Sequence, residues 1–294
     1  MKYRSLLLVL VLVLGLLTGC GTPNSYAQVA ATTLPVYELT SRLCDGTGIT
    51  VTRLVTESVS CLHDYALNVN QVKAAESAEV IVISGAGLEE FMEDMLHKSG
   101  YLIDASHQIP LIECAEEEGH GHGHEGHSHD VDAHIWLSPI NASIMARNIC
   151  EGLCGIYPDQ ESTFRSNLDV LLAELEGLQI YGEAQLADLS CRELITFHDG
   201  FGYLAQAFDL TILRAIEEES GSEASAAELI ELIEEVEHHQ LPAIFTEASG
   251  SVSAAAVISR ETGVPAYTLD MAMSGDSYFE AMHHNIDTLK EALG

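Results

Sequence analysis

The chain has 294 residues, of which 45 are acidic and 12 basic, for a formal net charge of −33. That balance excludes nucleic acid as a partner, because phosphate recognition requires clustered Lys and Arg; the surplus serves solubility instead. The length suffices for two α/β lobes, or one large domain, with substantial cores.

In chain order, Lys2 and Arg4 precede an apolar run from Leu6 to Leu17 and the small-residue stretch Leu17-Thr18-Gly19-Cys20. The pattern predicts a secretory signal peptide over residues 1–19, too short to span a bilayer as a mature helix. Leu-Thr-Gly-Cys resembles the lipobox of bacterial lipoproteins. That resemblance implies lipid on Cys20, a tether over 20–25 and an extracytoplasmic protein anchored to the cell membrane.

Short β-rich runs follow at Gln28 to Ala31, Ile49 to Thr52, Val80 to Ile83 and Pro110 to Ile112, with a helical pattern from Leu88 to His97. They define an N-terminal α/β lobe over 26–157. Within it, residues 116–130 are acidic and rich in Gly and His, with almost no apolar side chain. Such a stretch has no core to fold around.

Pro158-Asp159 is a helix-start signal, and Phe164, Leu168, Leu171, Leu175 and Leu178 recur at steps of four and three. One helix is predicted from Asp159 to Ala187, about 43 Å long, within a linking segment 158–189. A second series of strands falls at Leu194 to Phe197, Leu210 to Leu213, Ala243 to Thr246 and Ala266 to Leu269. Leu229, Ile230, Ile233 and Val236 form an apolar helical stripe, and Tyr278 to Leu293 reads as a closing helix. Residues 190–294 thus form a C-terminal α/β lobe, and the whole is two parallel-sheet lobes joined by one long rigid helix.

Cys44, Cys61, Cys114, Cys150, Cys154 and Cys191 remain after Cys20. Six cysteines allow about fifteen pairings, and sequence does not choose among them. Cys150 and Cys154 share a helical face, where small buried hydrophobes are the common explanation.

Ligands of parallel α/β sheets gather beyond the carboxyl ends of the strands. His63 follows the second strand, His134 the Pro110 strand, His198 the Leu194 strand and Asp270 the Ala266 strand. Three imidazoles and a carboxylate suit four-coordinate Zn²⁺ in an interlobe cleft, although Cu²⁺ and Ni²⁺ compete on affinity alone. His120, His122, His124, His127 and His129 lie instead among Gly, Ser and acidic residues, and are expected to form an auxiliary, weaker metal-binding loop. A zinc hydrolase is the rival from another class. His198-Asp199-Gly200 does not match His-Glu-x-x-His, however, and Asp270 would fill the open position. A surface adhesin is disfavoured by the lack of repeats and exposed aromatic clusters.

Four blocks, "CLHDYALNVNQVKAAESAEVIVISGAGLEEFM", "DAHIWLSP", "LITFHDGFGYLAQAFDL" and "AIFTEASGSVSAAAVISRETGVPAYTLD", resemble in order the signature blocks of the metal-binding lipoproteins of zinc and manganese ABC importers, the cluster A-I family. The resemblance covers roughly Gln28 to Gly294. It implies metal held between two lobes, with His63, His134, His198 and Asp270 in the four ligand places. It also implies a non-enzymatic, monomeric receptor that captures zinc for an integral-membrane ABC permease. Manganese relatives carry Glu where His198 stands, so Zn²⁺ is the expected cargo and Mn²⁺, or broad specificity, the alternative. Leu62 replaces an acidic residue found in some zinc members, which raises the importance of Asp270. Ala133 and Ser138 also depart from the family pattern, while His134, Trp136 and Pro139 keep its frame.

Overall fold

The computed structural model describes residues 27–57, 62, 65–97, 100–113, 131–217, 225–247 and 253–294. The expected signal peptide, Cys20, His63, Cys61, Cys114 and the histidines of 120–129 lie outside them. The first half contains β1 (Val29–Ala31), α1 (Leu34–Leu43), β2 (Val51–Arg53), α2 (Val69–Ser77), β3 (Val80–Ile83), α3 (Glu93–Leu96) and β4 (Tyr101–Asp104). Its four strands form a parallel sheet in the order β2-β1-β3-β4. After α4 (Pro139–Ile156) and the long α5 (Glu161–Gln185) come β5 (Glu193–His198), α6 (Gly202–Ala207), β6 (Thr211–Glu217), α7 (Ala226–His239), β7 (Ile244–Glu247), α8 (Ser253–Thr262), β8 (Ala266–Leu269) and α9 (Tyr278–Leu293). The second sheet is also parallel, in the equivalent order β6-β5-β7-β8.

Both sheets are covered on two faces, as parallel sheets require. Alternation along the strands shows how. Val29, Ala31, Val80 and Val82 join the main core, whereas Ala30, Ile81 and Ile83 turn to a smaller cluster with Leu54, Ala75 and Met92. In the second sheet Ile195 and Phe197 pack outward against Leu232, Val236 and Ile258. The main core is continuous between the sheets through Trp136, α4, α5, Phe201, Phe245 and Tyr278. The two halves are therefore welded by burial as well as by chain connectivity.

The long helix is present, with all five of its expected apolar positions buried. It is shorter at both ends than expected. Pro158–Gln160 forms a 3₁₀ turn, leaving 25 helical residues, about 37 Å. Near its end Gly182 lies against Phe208, where an added Cβ would come within 2.2 Å of the ring. That close approach needs glycine.

Three local expectations are corrected. Pro110 to Ile112 is not a strand; the fourth strand is β4, whose exposed edge pattern hid it from the hydrophobic reading. Proline lacks the N–H that a ladder needs. The helix expected over Leu88 to His97 is a 3₁₀ turn, Glu90–Met92, followed by the single turn α3. On α7 the buried residues are Leu232 and Val236, while Ile230 is 58% exposed. Cys44, Cys150, Cys154 and Cys191 are free thiols, the first three buried. Among the described residues no helix is long and apolar enough to cross a membrane.

At the crevice between β1 and β3, Glu89 is 3% exposed and accepts hydrogen bonds from Thr32 Oγ1 at 2.6 Å, Ser84 N at 2.7 Å and Gly85 N at 3.0 Å. Burial pushes its carboxyl up to about 7 despite these donors. The folded state thus keeps a proton that the unfolded chain releases near its ordinary value, so this group's contribution falls as pH rises through that window. We expect the denaturation midpoint of wild type to lose stability between about pH 4.5 and 7, by on the order of 3 kcal/mol, relative to Glu89→Gln. Parallel pH profiles of the two proteins would refute it.

Candidate metal centre

The carboxyl end of β5 delivers His198, and that of its neighbour β7 delivers Glu247. These strands flank the point where the order of the second sheet reverses, the usual ligand crevice of such sheets. His198 is 3% and Glu247 4% exposed, with His198 Nδ1 3.9 Å from Glu247 Oε2, beyond hydrogen-bond range.

His134 arrives from the first half. It precedes a 3₁₀ turn, Ile135–Leu137, whose three side chains are fully buried. Ser138 then caps α4 by accepting from Asn141 N, and Pro139 opens the helix where its missing N–H costs nothing. Trp136 Nε1 donates to the Met271 carbonyl at 2.7 Å, and Tyr278 Oη donates to the Trp136 carbonyl at 2.8 Å. The backbone around His134 is thus held from both halves of the molecule.

Asp132 orients the ring. Its Oδ1 accepts the His134 backbone N–H at 2.8 Å and lies 2.8 Å from Nδ1. An ionised carboxylate only accepts, so Nδ1 carries the proton and Nε2 presents its lone pair. That Nε2 lies 3.4 Å from Nε2 of His198. Gly200 makes the approach possible: a Cβ there would stand 2.7 Å from His198 Cδ2, 2.8 Å from His134 Cε1 and 2.7 Å from Met271 Cε. Nearby, burial and then the charge of Asp132 push the Asp199 carboxyl up.

Asp270 directly follows β8, and Met271 brings that chain segment against Gly200. Asn285, fully buried, clamps the Asp270 backbone: its Oδ1 accepts from Asp270 N and its Nδ2 donates to the Asp270 carbonyl, both at 2.7 Å. Asp270 Oδ1 accepts the Ala272 N–H at 2.7 Å. The structure therefore joins His134 and His198 directly, and Asp270 through its backbone neighbour. Among the described residues no three His, Cys, Asp or Glu side chains gather as one ligand set. His63 falls outside them.

Sequence reasoning missed Asp132, Glu247 and Gly200. Asp132 was readable as a carboxylate two residues before a candidate ligand. Glu247 becomes meaningful only once β7 is known to lie beside β5.

The family model described as "Zinc-uptake complex component A periplasmic", ZnuA, matches residues 29–292. A Treponema pallidum (strain Nichols) protein named for metal binding is 30% identical over 282 residues, covering 92% of this chain and 88% of its own length. The zinc-binding lipoprotein AdcA of Streptococcus pneumoniae serotype 4 (strain ATCC BAA-334 / TIGR4) is 29% identical over 279 residues. That match covers 90% of this chain, which spans about half of AdcA, 55% of its length. The crystal structure of a ZnuA superimposes with a TM-score of 0.77 at 26% identity, covering 91% of this chain and 100% of the other.

Proposed function

The chain belongs to the zinc-uptake complex component A (ZnuA) family, and we propose on that basis that it is an extracytoplasmic receptor that captures Zn²⁺ between its two sheets and passes it to an ABC permease. The observation that carries this reading is the imidazole pair, with Nε2 atoms 3.4 Å apart. Two nitrogens bound to one tetrahedral zinc at about 2.05 Å each stand about 3.3–3.4 Å apart, so the pair spans one edge of such a shell.

His63 and Asp270 complete the shell in this reading. Asp132 supports the donor set by fixing the His134 tautomer, and a ligand so hydrogen-bonded is more basic. Glu247 sets a second buried carboxyl group beside His198. Three imidazoles with one carboxylate favour zinc over manganese, which prefers oxygen donors. Capture and release, with no bond made in a substrate, is the work of a carrier and not of an enzyme. The receptor acts as a monomer held at the membrane by lipid on Cys20. The histidines of 120–129 raise local zinc concentration beside the cleft.

Competitive titration tests this reading. Wild type is expected to bind one zinc tightly. His198→Glu is expected to lose zinc affinity and gain relative manganese affinity, and Asp270→Asn to weaken zinc retention with the fold intact. Unchanged metal preference in His198→Glu would remove His198 from the shell; unchanged retention in Asp270→Asn would hand the fourth place to water or another residue.

A further inference from the structure

Residues Asp270 to Ser277 connect β8 to α9 and belong by connectivity to the second half. Apart from the Asn285 clamp on Asp270 and the Ser277 cap of α9, their polar anchors outside the segment lie on the first half. Besides the Trp136 bond to the Met271 carbonyl, Arg53 Nη1, at the end of β2, donates to the Gly275 carbonyl at 2.8 Å. Glu38 on α1 accepts the Tyr278 N–H at 2.6 Å and the Ser277 hydroxyl at 3.4 Å. Its carboxylate thus faces the positive N-terminal end of α9 from across the molecule. Arg42, one turn further along α1, donates to Glu38 from Nε and Nη2 at 3.2 and 3.1 Å, donates to Glu174 of α5, and stacks 4.5 Å from the Phe279 ring centroid.

We propose that Glu38 and Arg53 are positioning residues for zinc retention: from the first half they moor the segment that begins at Asp270, and so set how long the ion stays. The inference rests on the zinc-receptor reading. Neither residue is a ligand, and both act through the segment they hold. Trp136 links the residue following Asp270 to a position two residues beyond His134, so slack in the segment slackens both ligand-bearing stretches together. Ala272, at φ +55°, is buried between Met271 and Met273 and takes its N–H partner from Asp270 itself. The segment's shape and the Asp270 carboxylate are therefore one mechanical unit. Its outer moorings are the partly exposed Arg53 bond and the Glu38 contacts, weaker than the buried core beneath them.

The test uses the full chain as wild type, Glu38→Ala, Arg53→Ala and Arg53→Lys, with two readouts. One is the rate of zinc loss to excess chelator; the other is backbone amide exchange in zinc-free protein. Glu38→Ala is expected to accelerate zinc loss about tenfold and Arg53→Ala about threefold, with association unchanged. Exchange should quicken at the Ala272 and Tyr278 amides and not in β8, and Arg53→Lys, which can still donate to Gly275, should restore both values. Unchanged zinc loss overturns the proposal, even where exchange quickens. So does faster loss accompanied by faster exchange throughout β8 and α9, which would mark general destabilisation. Arg53→Ala, at the exterior, decides the matter where Glu38→Ala does not fold. Wild type without tight zinc overturns the receptor reading alone, and unchanged exchange at Ala272 and Tyr278 then overturns the mooring separately.

Discussion

His134→Ala is expected to lower zinc affinity by more than about 100-fold, since loss of a residue supporting a ligand already costs about 10–100-fold and here a proposed ligand itself is removed. Deletion of residues 118–129 is expected to leave one tight zinc per molecule and to remove only weaker sites. The contrast has a physical source. His134 stands between Asp132, which orients its ring, and the fully buried Ile135–Leu137 turn, so little entropy is lost when it binds. His120 to His129 have glycine, serine and acidic neighbours with almost no apolar side chain to pre-organise a site, so weaker binding is expected there. Isothermal titration of the two variants separates them. Loss of the tight phase on loop deletion, with His134→Ala harmless, would reverse the assignment.

Gly200→Ala is expected to be the next most damaging change, weakening zinc by about 10–100-fold while the fold survives. The new Cβ would meet both imidazoles inside 3.0 Å, and at least one ring must turn away from the other. Met271 can yield at its flexible end, but His134 is held by Asp132 and His198 by burial at the end of β5. Tight binding retained, with an unaltered melting curve, would show that the rings have more room than this packing allows.

Much of the architecture was legible without coordinates because its signals are local. The four-and-three spacing of Phe164 to Leu178 depends only on helix geometry, and each of these side chains is buried. Seven of the eight strands among the described residues coincide or overlap with apolar runs, for the same reason. The strand-end positions of His198 and Asp270 follow directly once those strands are placed. Elements lacking a local signature were misread: β4 has only one buried side chain, and the short helical turns around Glu90 have too few residues for a period to show.

Sequence by itself determined the long and closing helices, seven of the eight described strand runs and the residue types that end β5 and β8. Tertiary structure alone decided which strand ends meet. The order β6-β5-β7-β8 sets Glu247 beside His198, and Gly200 lets His134, sixty-four residues before His198, bring its Nε2 to 3.4 Å from that of His198. Such contacts join chain segments whose separation carries no periodic signal. They arise from how the sheets share one core, and that is fixed by packing across the whole molecule.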